Sequence, residues 1–258
     1  MRRTITLWAL SAAVAFAFVS HEASATGTDT RTDQPTDKPT DTTPQSPLGW
    51  TIATRGTAKG IPACISCHGA HGEGNAAAGF PRLAGAGEDY LDAQLAAFAD
   101  GSRPSTVMQP FARLMSKEGR TAVARYFSHL PAPETARRTD TADAAPSDTG
   151  AWLATRGRGQ QGVPACAQCH GPGGAGVGSA FPPLAGQPAA YITAQLHAWK
   201  AGKRPPGPMA LMPNVASKLS DADIGAVARY YSEQPGEQRG EQRGEQPTQQ
   251  ASVTTGAK

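Results

Sequence analysis

Two segments of the chain are copies of one another, and each contains the motif Cys-x-x-Cys-His. The motif occupies Cys64–His68 in the first copy and Cys166–His170 in the second. Downstream, Phe80–Gly85 (FPRLAG) corresponds to Phe181–Gly186 (FPPLAG), so the register of the repeat is kept. A repeat of this kind predicts two similar units in tandem. A unit of about 80 residues has a marginal side-chain core and usually needs a staple or a cofactor.

Helical spacing is the main secondary-structure signal in the copies. In the second copy Ser220 begins a Ser-x-x-Asp sequence typical of a helix N-cap, and Ile224, Val227 and Tyr231 then recur every three or four residues. The chain has 29 glycines and 22 prolines among 258 residues, which indicates extensive loops. We find no pair of alternating strand patterns. The predicted fold class is therefore all-α, with Gly/Pro-rich loops around a group that replaces part of the core.

The two ends and the middle of the chain have the composition of targeting and linking segments. Arg2 and Arg3 precede an apolar run over 5–19, and Ala23-Ser24-Ala25 forms a small-x-small cleavage site, which is the layout of a secretory signal. A retained anchor is the alternative, although the apolar run is short of the roughly 20 residues that span a bilayer. The predicted organisation is a signal peptide (1–25), a Thr/Asp/Pro-rich tether (26–47), domain 1 (48–132), a linker (133–149), domain 2 (150–232) and a low-complexity tail (233–258).

The repeated Cys-x-x-Cys-His motif predicts two covalently bound haem c groups. Two thiols one helical turn apart can bond the two haem vinyl groups, while the adjacent histidine ligates the iron. The alternatives are a zinc site, a redox dithiol and two disulfides. Haem is favoured for three reasons. The chain has an export signal, no predicted strand flanks either cysteine pair as in a thioredoxin-like site, and a histidine directly follows each pair. The predicted covalent residues are Cys64, Cys67, Cys166 and Cys169, and the predicted proximal ligands are His68 and His170.

Methionine is the predicted sixth iron ligand in both copies. Met108 and Met212 occupy the same register relative to the final helix of their copies, whereas Met115 and Met209 do not pair and are expected to be packing residues. His/Met ligation closes both axial positions and raises the iron potential, which suits one-electron transfer and argues against an enzyme. A bis-His iron in one copy stays open. The competing histidines, none with a counterpart in the other copy, are His71, His129 and His197.

The combination of motifs resembles the dihaem cytochrome c4 family, which has two class I c-type haem domains in tandem. The likeness covers about 48–132 and 150–232 and includes CxxCHG, FP-x-LAG, the pattern Y-x3-QL-x2-(F/W)-x2-G-x-R, a methionine and a final ARYF or ARYY helix. The resemblance implies two domains packed about a pseudo-twofold axis, with haem edges close together. It also implies that the carbonyls of Pro81 and Pro182 accept the N–H of the proximal histidines.

The same resemblance implies a periplasmic carrier of single electrons from a quinol-oxidising complex to a terminal oxidase. The alternatives are the cytochrome subunit of a periplasmic dehydrogenase and a dihaem peroxidase. No acid–base pair or activated nucleophile is found, so no catalytic residue is predicted. The formal charge of +3 is too small for nucleic-acid binding, and loose membrane association stays open. We expect Lys200, Lys203 and Arg204 to help dock an acidic redox partner.

Overall fold

The computed structural model describes residues 46–132, 145–178 and 181–234. The predicted signal peptide, almost all of the tether, most of the linker and nearly all of the tail lie outside these residues. Within them the regular structure is helical apart from three isolated two-residue bridges, which confirms the all-α prediction. No helix in the described ranges is long and apolar enough to cross a membrane.

Each copy contributes five α-helices to the described structure, in matching order. The first copy contains α1 (Pro47–Arg55), α2 (Ile65–His68), α3 (Glu88–Asp100), α4 (Met108–Leu114) and α5 (Lys117–Ser128). The second copy contains α6 (Thr149–Thr155), α7 (Ala167–His170), α8 (Ala189–Lys200), α9 (Leu211–Ala216) and α10 (Asp221–Ser232). Short 3₁₀ turns at Gly159–Gln161, Pro172–Gly174 and Pro208–Ala210 lie in the loops of the second copy.

Polar caps determine where the helices begin. The Ser46 hydroxyl accepts the Gly49 N–H at the start of α1, and the Asp148 carboxylate does the same for Ala151 at the start of α6. With these caps the helices begin at Pro47 and Thr149, one residue before positions 48 and 150, where composition places the start of the two domains. The predicted cap at Ser220 is confirmed and forms a full capping box with Asp223.

The core of each copy is built where its first and last helices cross. Helix α1 packs on α5 and α6 packs on α10. The crossings are so close that a Cβ atom at Gly49 would collide with the Ala122 carbonyl, and one at Gly150 with the Ala226 carbonyl. Glycine is therefore required at both crossings. Buried side chains complete two equivalent clusters, with Ile52, Leu91, Val123 and Phe127 in the first and Leu153, Leu196, Ile224 and Tyr231 in the second.

The two copies are joined by a polar network of reciprocal contacts. Arg103 of the first copy donates to Tyr191 Oη at 3.0 Å and to Gln195 Oε1 at 2.7 Å in the second copy. Arg204 of the second copy donates to Tyr90 Oη at 3.2 Å and to Gln94 Oε1 at 3.1 Å in the first copy. Each arginine also bonds the glutamine of its own copy, so both glutamine oxygens are shared. We call these six residues the crossed network.

Candidate haem sites

The Cys-x-x-Cys-His motif of each copy forms a single helical turn that aligns its three functional side chains. Cys64 precedes α2 and Cys166 precedes α7, and the N–H of the motif histidine bonds back to the carbonyl of that cysteine. All four cysteines are free thiols. Burial raises the pKa of Cys64 and of Cys166 to about 11, so these thiols are protonated at neutral pH.

The proximal histidines are held by a main-chain carbonyl in the same way in both copies. The Nδ1 atom of His68 lies 2.9 Å from the Pro81 oxygen, and that of His170 lies 2.8 Å from the Pro182 oxygen. A carbonyl can only accept, so Nδ1 carries the proton and Nε2 keeps its lone pair for a metal. Burial lowers the pKa of both imidazoles, which favours the neutral ligand form. The hydrogen bond implied by the resemblance is thus present twice.

An aromatic ring flanks each proximal histidine. Phe80 lies with its ring centroid 5.9 Å from that of His68, and Phe181 lies 6.0 Å from His170. Each phenylalanine immediately precedes the proline whose carbonyl accepts the histidine proton. Our sequence reasoning assigned these rings no role, although their recurrence in FP-x-LAG was a usable signal. The same aromatic neighbour therefore accompanies the proximal histidine in both copies.

The four methionines of the two copies occupy three different environments. Met108 begins α4 and Met212 lies in α9, and both are half-buried. Met115 is 7% exposed within the first core cluster, in line with its predicted packing role. Met209 was also expected to pack, and this is wrong because its side chain is 79% exposed. Met209 and Ala210 adopt left-handed backbone conformations, with φ of 53° and 52°, in the turn before α9.

The competing histidines lie at or near the surface, each beside a polar group of its own. The backbone N–H of His71 donates to the Glu73 carboxylate, and the His129 ring lies 2.9 Å from the Arg125 carbonyl oxygen. The ring of His197 is 3.9 Å from the Asp221 carboxylate. Among the described residues no three His, Cys, Asp or Glu side chains form a cluster that could hold a metal ion.

The residues of each site fit a covalent haem. Each copy presents two free thiols one helical turn apart and one neutral imidazole whose free nitrogen can bind iron. Close loop packing completes the site, because a Cβ atom at Gly72 would meet the Phe127 ring and one at Gly174 would meet the Tyr231 ring. When bound, the haem supplies a one-electron iron couple. The protein holds it covalently, fixes the proximal ring and keeps that ring neutral.

The basic cluster expected to dock a partner is not a continuous exposed patch. Arg204 is 9% exposed and belongs to the crossed network, with its guanidinium 3.9 Å from the Trp199 ring centroid. Lys200 Nζ donates to the Leu219 carbonyl at 2.8 Å and lies 3.4 Å from the Asp221 carboxylate. Lys203 is exposed. The prediction is wrong for Arg204, because a basic residue can be buried in a contact between copies that composition does not reveal.

Two sequence families match the chain, one in each copy. The family described as Cytochrome c matches residues 57–131, and the family described as Cytochrome C oxidase, cbb3-type, subunit III matches residues 154–230. Together with the duplicated fold and the paired Cys-x-x-Cys-His sites, these matches define a c-type cytochrome with two haem domains.

Similar proteins narrow this class to one family. A Thiomonas intermedia protein named thiosulfate dehydrogenase electron acceptor is 48% identical over 191 residues, which cover 74% of this chain and 85% of the relative. Cytochrome c4 of Pseudomonas aeruginosa is 36% identical over 180 residues, which cover 69% of this chain and 86% of the relative. The chain belongs to the dihaem cytochrome c4 family.

A solved structure of thiosulfate dehydrogenase (TsdBA) from Marichromatium purpuratum is also similar, with a TM-score of 0.65 and 42% identity. The match covers 72% of this chain but 39% of that one, so most of that protein has no counterpart here.

The family fixes the cofactor and the class of activity. The chain carries two covalent haem c groups, at the Cys64/Cys67 and Cys166/Cys169 motifs, and it is an electron-transfer protein rather than an enzyme. The similarity to thiosulfate dehydrogenase electron acceptors supports redox partners of the dehydrogenase class.

Proposed function

We propose that this chain is an exported dihaem carrier that accepts single electrons from a thiosulfate dehydrogenase and passes them to a respiratory acceptor such as a terminal oxidase. The observation that carries the proposal is the identical proximal arrangement in both copies, in a chain 48% identical to a protein named for that acceptor role. Two equivalent sites suit storage and relay of electrons. The N-terminal export pattern favours the periplasm.

Both irons are His/Met ligated in this proposal. His68 and Met108 hold the first iron, and His170 and Met212 hold the second. The repeat register supports the two methionines, as do the burial of Met115 in the core and the exposure of Met209. Because protein ligands occupy both axial positions, no coordination position is left for oxygen or peroxide. The coordination of the iron then changes little when it gains an electron. This ligation argues against the peroxidase alternative.

A dehydrogenase is favoured as the donor because two relatives, at 48% and 46% identity, carry that role in their names. In the TsdBA structure, a region similar to this chain is part of the same polypeptide as the rest of the dehydrogenase. A separate chain of this kind must instead recognise its donor by docking. The second candidate donor is a quinol-oxidising complex, which the relatives named cytochrome c4 favour.

Rapid mixing tests the donor directly. The oxidised holoprotein is mixed with a purified thiosulfate dehydrogenase and thiosulfate, and haem reduction is followed by the rise of the reduced α-band. We expect both haems to be reduced at a rate that depends on enzyme concentration, and no reduction when thiosulfate is omitted. Reduction by a quinol-oxidising complex with quinol, but not by the dehydrogenase, would replace the first candidate with the second.

A further inference from the structure

Arg82 is a buried cation that only one of the two copies carries. Its counterpart in the second copy is Pro183. The residue is 2% exposed, and none of the ion pairs among the described residues includes it. Its Nε–H is buried without a hydrogen-bond partner. Burial lowers the pKa of Arg82 to about 10, so the side chain still carries its charge at neutral pH. A buried charge that has no carboxylate partner among the described residues costs free energy and exerts a strong local field.

The guanidinium of Arg82 lies between equivalent atoms of the two copies. It donates to the Ala84 carbonyl of its own copy at 2.6 Å and to the Ala185 carbonyl of the other copy at 2.7 Å. Both alanines occupy the same place in FP-x-LAG, and their N–H groups make equivalent bonds to the Gly72 and Gly174 carbonyls. One unique side chain therefore bridges equivalent loops of the two copies.

The same loops hold the proximal histidines of both haem sites. Ala84 lies three residues after Pro81, whose carbonyl binds His68, and Ala185 lies three residues after Pro182, whose carbonyl binds His170. The guanidinium of Arg82 is thus hydrogen-bonded to both loops that hold a proximal histidine. Reduction of either iron adds one negative charge, and a fixed buried cation stabilises that added electron.

The main chain of Arg82 is bonded to the second copy separately from its charged group. The Gln187 side chain accepts the Arg82 N–H at 3.1 Å through Oε1 and donates to the Arg82 carbonyl at 2.8 Å through Nε2. Gln187 is 7% exposed, and the first copy has Ala86 at this place. We call the two hydrogen bonds between the Gln187 side chain and the Arg82 main chain the clamp. The clamp and the charge of the Arg82 side chain can be removed by separate substitutions.

We propose that Arg82 is a shared redox-tuning residue that raises the reduction potentials of both haems together. It acts on the irons through the field of one charge held between the two copies. The proposal does not depend on which enzyme donates the electrons.

Spectroelectrochemical titration of the holoprotein tests the proposal. In Arg82→Met, a neutral side chain of similar length, we expect the mean of the two midpoint potentials to fall while their separation is unchanged. At a fixed ambient potential the ratio of reduced to oxidised haem should fall on the order of tenfold at both sites, or about 59 mV for a one-electron couple. Arg82→Lys should stay near the wild type at neutral pH.

Two controls separate charge from structure. Gln187→Ala removes the clamp but keeps the charge, and Lys203→Met removes an exposed charge that solvent screens, so neither should move the mean potential. If Arg82→Met does not fold, Arg82→Lys is titrated at increasing pH, and both midpoints must fall together as the buried lysine loses its proton. A fall confined to one haem, an unchanged mean, or an equal fall in Gln187→Ala would overturn the proposal.

Discussion

The ion pair between Arg158 and Asp223 should contribute measurably to the stability of the second copy. The guanidinium donates to both carboxylate oxygens, at 2.9 and 2.7 Å, and the carboxylate also accepts the Ser220 N–H and hydroxyl. The hydrogen bonds from Arg158 lower the pKa of Asp223 from its ordinary 3.8 to about 2. The pair therefore ties the loop after α6 to the start of α10.

The magnitude follows from that pKa and from exposure. A fall from 3.8 to about 2 corresponds to about 2 kcal/mol of stabilisation at neutral pH. The Arg158 side chain is 30% exposed, so solvent screening reduces the expected contribution to about 1–2 kcal/mol. Because the folded-state pKa is depressed, this contribution is present above about pH 4 and is lost as the pH falls through about 2.

A double-mutant cycle measures the pair. Asp223→Asn, Arg158→Met and the double variant are unfolded in guanidinium chloride at pH 7 and at low pH, with loss of the second copy followed separately. We expect a coupling energy of about 1–2 kcal/mol at pH 7 that declines at low pH. Asp221→Asn is the control, since its side chain is 80% exposed and should change stability little. A coupling energy near zero at pH 7, or one that is independent of pH, would refute the reasoning.

Two further predictions concern the iron ligands and the helix crossing. Met108→Leu and Met212→Leu should each remove half of the weak far-red band of methionine-ligated ferric haem, while Met209→Leu leaves it intact; a band lost in Met209→Leu would reassign the second ligand. Gly150→Ala should destabilise the second copy by about 1–3 kcal/mol in denaturant titration, because its Cβ meets the Ala226 carbonyl. Gly159→Ala, which faces open space, should not, and equal losses in both variants would remove the steric explanation.

The haem motifs and the helical fold were predictable because they depend on contacts that are close in sequence. Cys-x-x-Cys-His is one turn of helix, and the cap at Ser220 needs only the residue three positions on. The exposure of Met209 was not predictable, since it follows from two left-handed residues without glycine, which no local pattern indicates.

Contacts between the copies were the main feature that the sequence did not reveal. Arg204 was assigned to a docking surface because it lies close in sequence to Lys200 and Lys203, yet its partners in the other copy, Tyr90 and Gln94, lie more than a hundred residues away. A usable signal did exist. Tyr, Gln and Arg recur at equal spacing in both copies, and a polar set kept in two units suggests that the units bond to one another. Arg82 and Gln187 lack even that signal, because each occurs once.

The crossed network makes each copy depend on the other for hydrogen-bond partners. Each copy supplies donors whose acceptors belong to the other, so one copy expressed alone would leave Arg103 or Arg204 without two of its three partners in the network. Such a fragment has a self-complementary face and should associate with a second fragment across a twofold axis. The covalent connection then serves mainly to raise the local concentration of two halves that already recognise each other, which leaves each half free to diverge in its redox role.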